Sequence, residues 1–206
     1  MMVSPIGAAT MVTIPASVDG YVQSSGVLGL STSATNTETF IGTSMSGGNN
    51  VRHGIYEFDL GAVPDGSTIT AATLQLTTSR FVSNTGGNPA PISIYGYTGD
   101  GLIATSDYDA AAPTIASQTL PLSTPTGSTI DFAFTDFSFV NAANNSGGEV
   151  FGAGSKTISF VSFQVASLEN GGLAPPTLVV TYVPEPGSCS LILLGLAGVL
   201  GRRARR

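Results

Sequence analysis

Residues 51–60 read VRHGIYEFDL, and this stretch carries the strongest strand signal in the sequence. Tyr56, Phe58 and Leu60 alternate with a second set of side chains that begins at Ile55. An alternation with a period of two residues is typical of a β-strand, because successive side chains point to opposite faces of a sheet. The stretch therefore predicts a strand with one apolar face.

The residues that follow predict a turn and a second strand. The Pro-Asp-Gly sequence at 64–66 is typical of a turn, because proline presets its own φ and glycine accepts a positive φ. In residues 68–78, Ala72, Leu74 and Leu76 share one face. We therefore expect this second strand to pair antiparallel with the first across the loop.

Further short alternating runs surround these two strands. They predict strands at residues 11–14, 20–22, 37–42, 91–97, 129–134, 157–165 and 177–182, with a short strand or a single turn at 137–140. In residues 91–97, Ile92 and Ile94 should face inward, with Tyr95 and Tyr97 on the opposite face. About eight to ten strands with turns at short intervals favour an all-β, antiparallel jelly-roll β-sandwich without a soluble helix.

The composition fits such a sandwich and limits its partners. Of the 206 residues only 10% are charged and 26 are glycine. Residues 1–183 hold three basic side chains (Arg52, Arg80 and Lys156) against twelve acidic ones. We expect this acidic body to bind neither nucleic acid nor an anionic membrane surface, because both carry negative charge.

The sequence offers little catalytic chemistry. His53 is its one histidine, and no Gly-x-Ser-x-Gly sequence supplies a hydrolase nucleophile. One histidine, with no cysteine before residue 184, excludes a zinc cluster there. Glu57 and Asp59 lie two apart on one predicted strand, whereas a glycosidase needs two carboxylates facing each other across a cleft. We predict no catalytic residues and no enzyme activity.

Three aspartates mark the predicted loop 98–112: Asp100, Asp107 and Asp109. Carboxylates on a loop can supply several of the oxygen ligands that Ca²⁺ needs. The same residues are also ordinary in solvated turns. The pattern allows two interpretations, a structural calcium site or turn residues, and it predicts no other cofactor.

Tyr95 and Tyr97 also allow two interpretations. They lie two apart on one face of a predicted strand. Exposed, they could stack against the sugar rings of a polysaccharide. Covered, they pack under a loop or against the other sheet.

The last 23 residues, PEPGSCSLILLGLAGVLGRRARR, fall into three blocks. Pro184-Glu185-Pro186 disfavours a helix, because each proline lacks an N–H and restrains the residue before it. Residues 187–201 carry no charge, so they can enter hydrocarbon as a single C-terminal helix of about 22 Å at ~1.5 Å per residue. Four arginines then mark the cytoplasmic side: Arg202, Arg203, Arg205 and Arg206.

This order of blocks over residues 183–206 resembles the PEP-CTERM sorting signal of bacterial proteins. The resemblance implies an exported protein, first anchored in the membrane and then cut near Pro184-Glu185-Pro186 by an exosortase, a membrane-embedded cysteine peptidase. The product would go to the cell envelope or the extracellular polymer matrix.

Three segments follow from this interpretation. Residues 11–183 form the β-sandwich domain, and residues 184–206 form the sorting signal. Residues 1–16 have neither a basic start nor an apolar run of adequate length, so they are not a signal peptide. Residues 1–10 form an N-terminal segment that we interpret as a remnant of an export signal. We expect the true start to lie upstream, with residues 7–10 close to an export cleavage site.

A second resemblance covers roughly residues 19–182. The run RHGIYEFDLGAVPDGSTITAATLQL at 52–76 resembles the central block of DNRLRE-type domains, which are similar to carbohydrate-binding module family 96. Residues 161–182 resemble the closing block, although Ser167-Leu168-Glu169 stands where the family often has Ser-Arg-Glu. The resemblance implies a β-sandwich that is structural, adhesive or carbohydrate-binding. The alternative is an accessory module of, or a degenerate, polysaccharide-active enzyme.

Overall fold

A computed structural model describes residues 8–25, 29–34, 36, 38–44, 50–84, 90–108, 112–121, 123–145, 150–157 and 161–185. Within these ranges the chain forms twelve strands, one short α-helix (α1, Ser138–Asn144) and a 3-10 turn at Thr105–Asp107. The strands are β1 (Thr10–Pro15), β2 (Val18–Ser25), β3 (Gly29–Ser33), β4 (Glu38–Ser44), β5 (Asn50–Asp59), β6 (Thr68–Asn84), β7 (Ala90–Thr98), β8 (Thr114–Leu120), β9 (Thr129–Ala133), β10 (Val150–Thr157), β11 (Val161–Ala166) and β12 (Thr177–Val183).

The strands form two sheets that share the long strand β6. The first sheet has the order β1-β12-β6-β9, and it uses β6 from Thr68 to Thr77. From Thr78 to Asn84, β6 pairs instead with β11, which begins the order β11-β4-β5-β10-β7-β8. β2 also pairs with β5, and β3 pairs with β2. Every strand pairing among the described residues is antiparallel, so the predicted antiparallel β class is confirmed.

One hydrophobic core takes side chains from both sheets. Leu74 and Leu178 enter it from the first sheet, and Phe58 and Phe151 enter it from the second. The apolar set predicted in residues 51–60 is fully buried there: Tyr56, Phe58 and Leu60. The inward sets predicted for β6 and β7 are buried in the same core: Ala72, Leu74, Leu76, Ile92 and Ile94. Side-chain alternation thus predicted correctly which faces pack together.

The predicted pairing of the two strands in 51–78 is wrong. β5 pairs with β2, β4 and β10, whereas β6 pairs with β9, β11 and β12. The Pro-Asp-Gly turn therefore carries the chain from one sheet to the other and does not close a hairpin. The strand predicted at 157–165 corresponds to β11, whereas β10 shares only Thr157 with it and was not predicted. The two strands lie in different places in the sheet. Residues 158–160 between them lie outside the described ranges.

Three further elements differ from the sequence prediction. Strands β3 and β8 were not predicted, and residues 138–144 form α1 where no soluble helix was expected. α1 is only seven residues long, too short to be stable alone, so its position is fixed by the tertiary contacts of its buried face, Val140, Ala143 and Asn144. The predicted C-terminal helix at 187–201 lies outside the described residues. Among those that are described, no helix is both long and apolar enough to span a membrane.

Candidate functional site

The outer face of the second sheet is organised around two glycines of β10. Gly154 pairs with Ile55 on one side and Tyr95 on the other, and Gly152 pairs likewise with Glu57 and Tyr97. A Cβ atom at either glycine would overlap the neighbouring tyrosine ring. The two tyrosine rings therefore lie across the bare backbone of β10, and this lets them reach side chains of β5.

Glu57 is the polar centre of this face. Its side chain is fully buried. Tyr97 donates its hydroxyl hydrogen to Glu57 Oε1 at 3.1 Å, and the backbone N–H of Gly101 donates to Oε2 at 2.6 Å. Burial raises the pKa of Glu57 above its ordinary value, and these hydrogen bonds oppose the rise. Both oxygens have a partner, so Glu57 ties the segment after β7 to the sheet.

Asp107 lies on the same segment, and its carboxylate is held by its own turn. The N–H of Ala104 donates to Oδ2 at 2.7 Å, and the Ser106 hydroxyl lies 3.4 Å from Oδ1. The side chain is 8% exposed, and burial raises the pKa of Asp107. Asp100 is exposed, and its Oδ1 accepts from the N–H of Leu102 at 3.0 Å.

The calcium interpretation remains a prediction. In the described part of the chain, no three acidic, histidine or cysteine side chains are grouped so as to hold a metal ion. Asp109, the third predicted ligand, lies outside that part. The two aspartates that are described bind backbone N–H groups, as turn aspartates do.

His53 joins this face through Tyr95. The Tyr95 hydroxyl donates to the backbone carbonyl of Asp107 at 2.8 Å, and His53 Nδ1 lies 3.2 Å from the same hydroxyl. Because the tyrosine hydrogen is directed at the carbonyl, His53 Nδ1 is the donor to Tyr95. The imidazole also stacks on Tyr108, with 4.2 Å between ring centroids. His53 is thus a buried packing residue.

The two tyrosines predicted for sugar stacking lie beneath the 98–108 segment. Tyr95 is fully buried and Tyr97 is partly buried. Both pack in a second apolar cluster with Val22, Ile55, Ile103 and Tyr108. This placement corresponds to the second interpretation, packing under a loop. Stacking on a sugar remains a prediction and would require the segment to move.

Asp19 is a second buried carboxylate, and no pattern in the sequence predicts its burial. It is 2% exposed, and the N–H of Leu168 lies 3.3 Å from both of its oxygens. The Thr39 hydroxyl is 3.5 Å from Oδ2. Burial, with a smaller contribution from the charge of Glu169, raises the pKa of Asp19 from 3.8 to about 7. These long contacts stabilise the charge weakly.

The predicted sorting signal begins where the last strand ends. Val183 still pairs with Thr68 in the first sheet, and Pro184 follows directly. The exposed Glu185 lies against the turn at Gly66, where a Cβ atom would be 3.4 Å from Glu185 Cδ. The remaining predicted signal residues lie outside the described ranges: Pro186, Arg202, Arg203, Arg205 and Arg206.

A known protein-family motif matches the C-terminal residues of the chain. Residues 183–206 match the PEP-CTERM protein-sorting motif. No curated protein sequence is significantly similar to the chain. The molecule is thus an antiparallel β protein with a C-terminal sorting motif of a kind that implies export, sorting to the cell surface and processing by an exosortase. The comparisons give no support for the DNRLRE resemblance, which remains a prediction.

Proposed function

We propose that this chain is a non-enzymatic protein of the cell envelope or extracellular polymer matrix. An exosortase-type membrane peptidase cuts it at its C-terminal motif, and the β domain then serves as a structural, adhesive or carbohydrate-binding component. The observation that carries the proposal is the motif match at 183–206, directly after β12. The motif joins the membrane to the domain without a further folded unit between them.

The buried chemistry supports a non-enzymatic role. Glycoside hydrolysis needs two carboxylates that reach a substrate from opposite sides of a cleft. Glu57 is fully buried with both oxygens hydrogen-bonded, and Asp19 is 2% exposed. These carboxylates hold segments of the fold in place and leave no free oxygen facing a substrate at Glu57.

The sorting part is tested in cells with and without an exosortase. The full chain should be processed and reach the outside only when the peptidase is present. Replacing Pro184, Glu185 and Pro186 together with alanine should leave the uncut form in the membrane fraction. Glu169→Ala, an exposed change outside the motif, is the control and should behave as wild type. Equal processing of the motif variant would contradict the proposal.

Carbohydrate binding is the second part, supported by the resemblance at 19–182 and by the predicted jelly-roll arrangement. Two antiparallel sheets around one core are consistent with that arrangement. The released product would be mixed with insoluble polysaccharides, and bound protein and new reducing ends would be measured. Binding without reducing ends supports a binding module, and reducing ends would favour the polysaccharide-active alternative. If the protein neither binds polysaccharide nor releases reducing ends, a structural role remains.

A further inference from the structure

The chain between the folded domain and the apolar run is very short. Val183 is the last residue paired in the sheet, and the uncharged run begins at Gly187. A fully extended chain spans about 3.3–3.6 Å per residue. The four steps from Val183 to Gly187 therefore cover at most about 14 Å. When the run is in the bilayer, this end of the domain lies within that distance of the membrane.

β12 cannot lengthen this link without loss of structure. It lies between β1 and β6, and Tyr182 pairs with Thr10 on one side and Ile69 on the other. Its inward side chains, Leu178, Val180 and Tyr182, are in the core. Pulling residues out of the strand would break hydrogen bonds on both sides and expose buried apolar surface.

A fixed turn lies beside the motif. In residues 61–67, the N–H of Val63 donates to the Leu60 carbonyl at 2.7 Å, and that of Ser67 donates to the Pro64 carbonyl at 3.1 Å. From α1, Asn144 Nδ2 donates to the same Pro64 carbonyl at 3.4 Å. Ala62 and Asp65 are exposed. Glu185 of the motif lies beside this turn, where a Cβ atom on Gly66 would be 3.4 Å from Glu185 Cδ.

We propose that residues 61–67 form a docking surface for the membrane-embedded peptidase that cuts the motif. A peptidase whose catalytic groups reach the residues next to Val183 would also lie close to this turn, because Glu185 lies beside Gly66. A lipid surface is the poorer occupant, because the exposed Asp59, Asp65 and Glu185 at this end would be repelled by anionic headgroups. The inference rests on the proposed function and adds a second recognition element on the folded domain.

The test measures the processing rate of the full chain by pulse-chase in cells that contain the peptidase. Asp65→Arg should slow processing by about threefold or more, because a reversed charge at an interface rim changes the rate of association. Ala62→Arg on the same turn should also slow it. Glu169→Arg is the matched control, since its loop precedes the opposite end of β12 and should leave the rate unchanged. A thermal melt confirms that each variant is folded.

A flexible insert of ten residues between Val183 and Pro184 distinguishes a contact between the turn and the peptidase from other effects of the substitutions. With the insert the turn no longer has to meet the peptidase, so Asp65→Arg and its parent should be processed at equal rates. Equal rates of Asp65→Arg and wild type without the insert would overturn the inference, as would a difference that persists with the insert. If the wild-type chain is not processed at all, the proposed function itself fails.

Discussion

Asp19 and Glu57 are two buried carboxylates that differ in the hydrogen bonds they accept. Glu57 accepts a backbone N–H at 2.6 Å and a tyrosine hydroxyl at 3.1 Å. Asp19 has only contacts of 3.3–3.5 Å. The charged form of Asp19 is therefore poorly compensated, and its pKa rises to about 7.

This pKa predicts a pH-dependent stability. Between pH 4 and about 7 the folded chain binds more protons at Asp19 than the unfolded chain does. The stabilisation from protonated Asp19 is complete below about pH 4 and is lost as the pH rises through about 7. At ~1.4 kcal/mol per pKa unit, Asp19→Asn should gain a few kcal/mol relative to wild type over this range.

Urea denaturation at a series of pH values measures this difference in the free energy of unfolding. Gly171→Ala changes no titratable group and should keep a constant difference from wild type. A constant difference for Asp19→Asn would show that folding does not raise the pKa of Asp19.

The glycines of β10 give a second prediction at this scale. Gly154→Ala should lower the free energy of unfolding by about 1–3 kcal/mol or more, because the new Cβ atom overlaps the Tyr95 ring. Gly171→Ala is the control, since no atom lies within 4 Å of a Cβ atom there. Equal melting temperatures of the two variants would contradict the ring placement.

For single residues, the sequence predicts which face of a strand a side chain lies on, but not what covers that face. The period-2 pattern placed Glu57 on the same face as Ile55, opposite the core. It did not show that the 98–108 segment covers this face, because that cover is a tertiary contact. The sequence Gly152-Ala153-Gly154 carries the same spacing as Tyr95 and Tyr97, and only the strand register shows that these residues are neighbours.

At the scale of elements, α1 depends on its contacts with β6. Asn141 Oδ1 accepts the backbone N–H of Ile69 at 3.0 Å. Asn141→Ala should lower the free energy of unfolding by about 1–3 kcal/mol, because this partly buried N–H loses its partner. Asn145→Ala is the control, because that exposed side chain bonds only within its own helix. Chemical denaturation of both variants checks this, and equal midpoints would contradict the role of Asn141.

For the strands, positions and inward faces could be predicted from the sequence, but pairing could not. Strand positions and inward faces follow from local alternation, and β5, β6 and β7 were predicted correctly in that respect. Pairing depends on distant residues: β6 takes its partners from β9, β11 and β12, all later in the chain. The turn at 64–66 looked like a hairpin because a connection between sheets uses the same turn residues.

At the scale of the whole molecule, charge and hydrophobicity are segregated along the chain. The body is acidic, and four of the seven basic residues stand in the last five positions, after the uncharged run. This order, together with the motif match, predicts an acidic β domain outside the cell and arginines inside it.

The mass of the protein recovered from outside the cell is the sharpest test of whether the β domain is exported and cut at its C-terminal motif. Mass spectrometry should find a product that ends near Pro184-Glu185-Pro186 and lacks Arg202–Arg206. Recovery of the chain from the cytosol alone, with its terminal arginines still attached, would contradict the account.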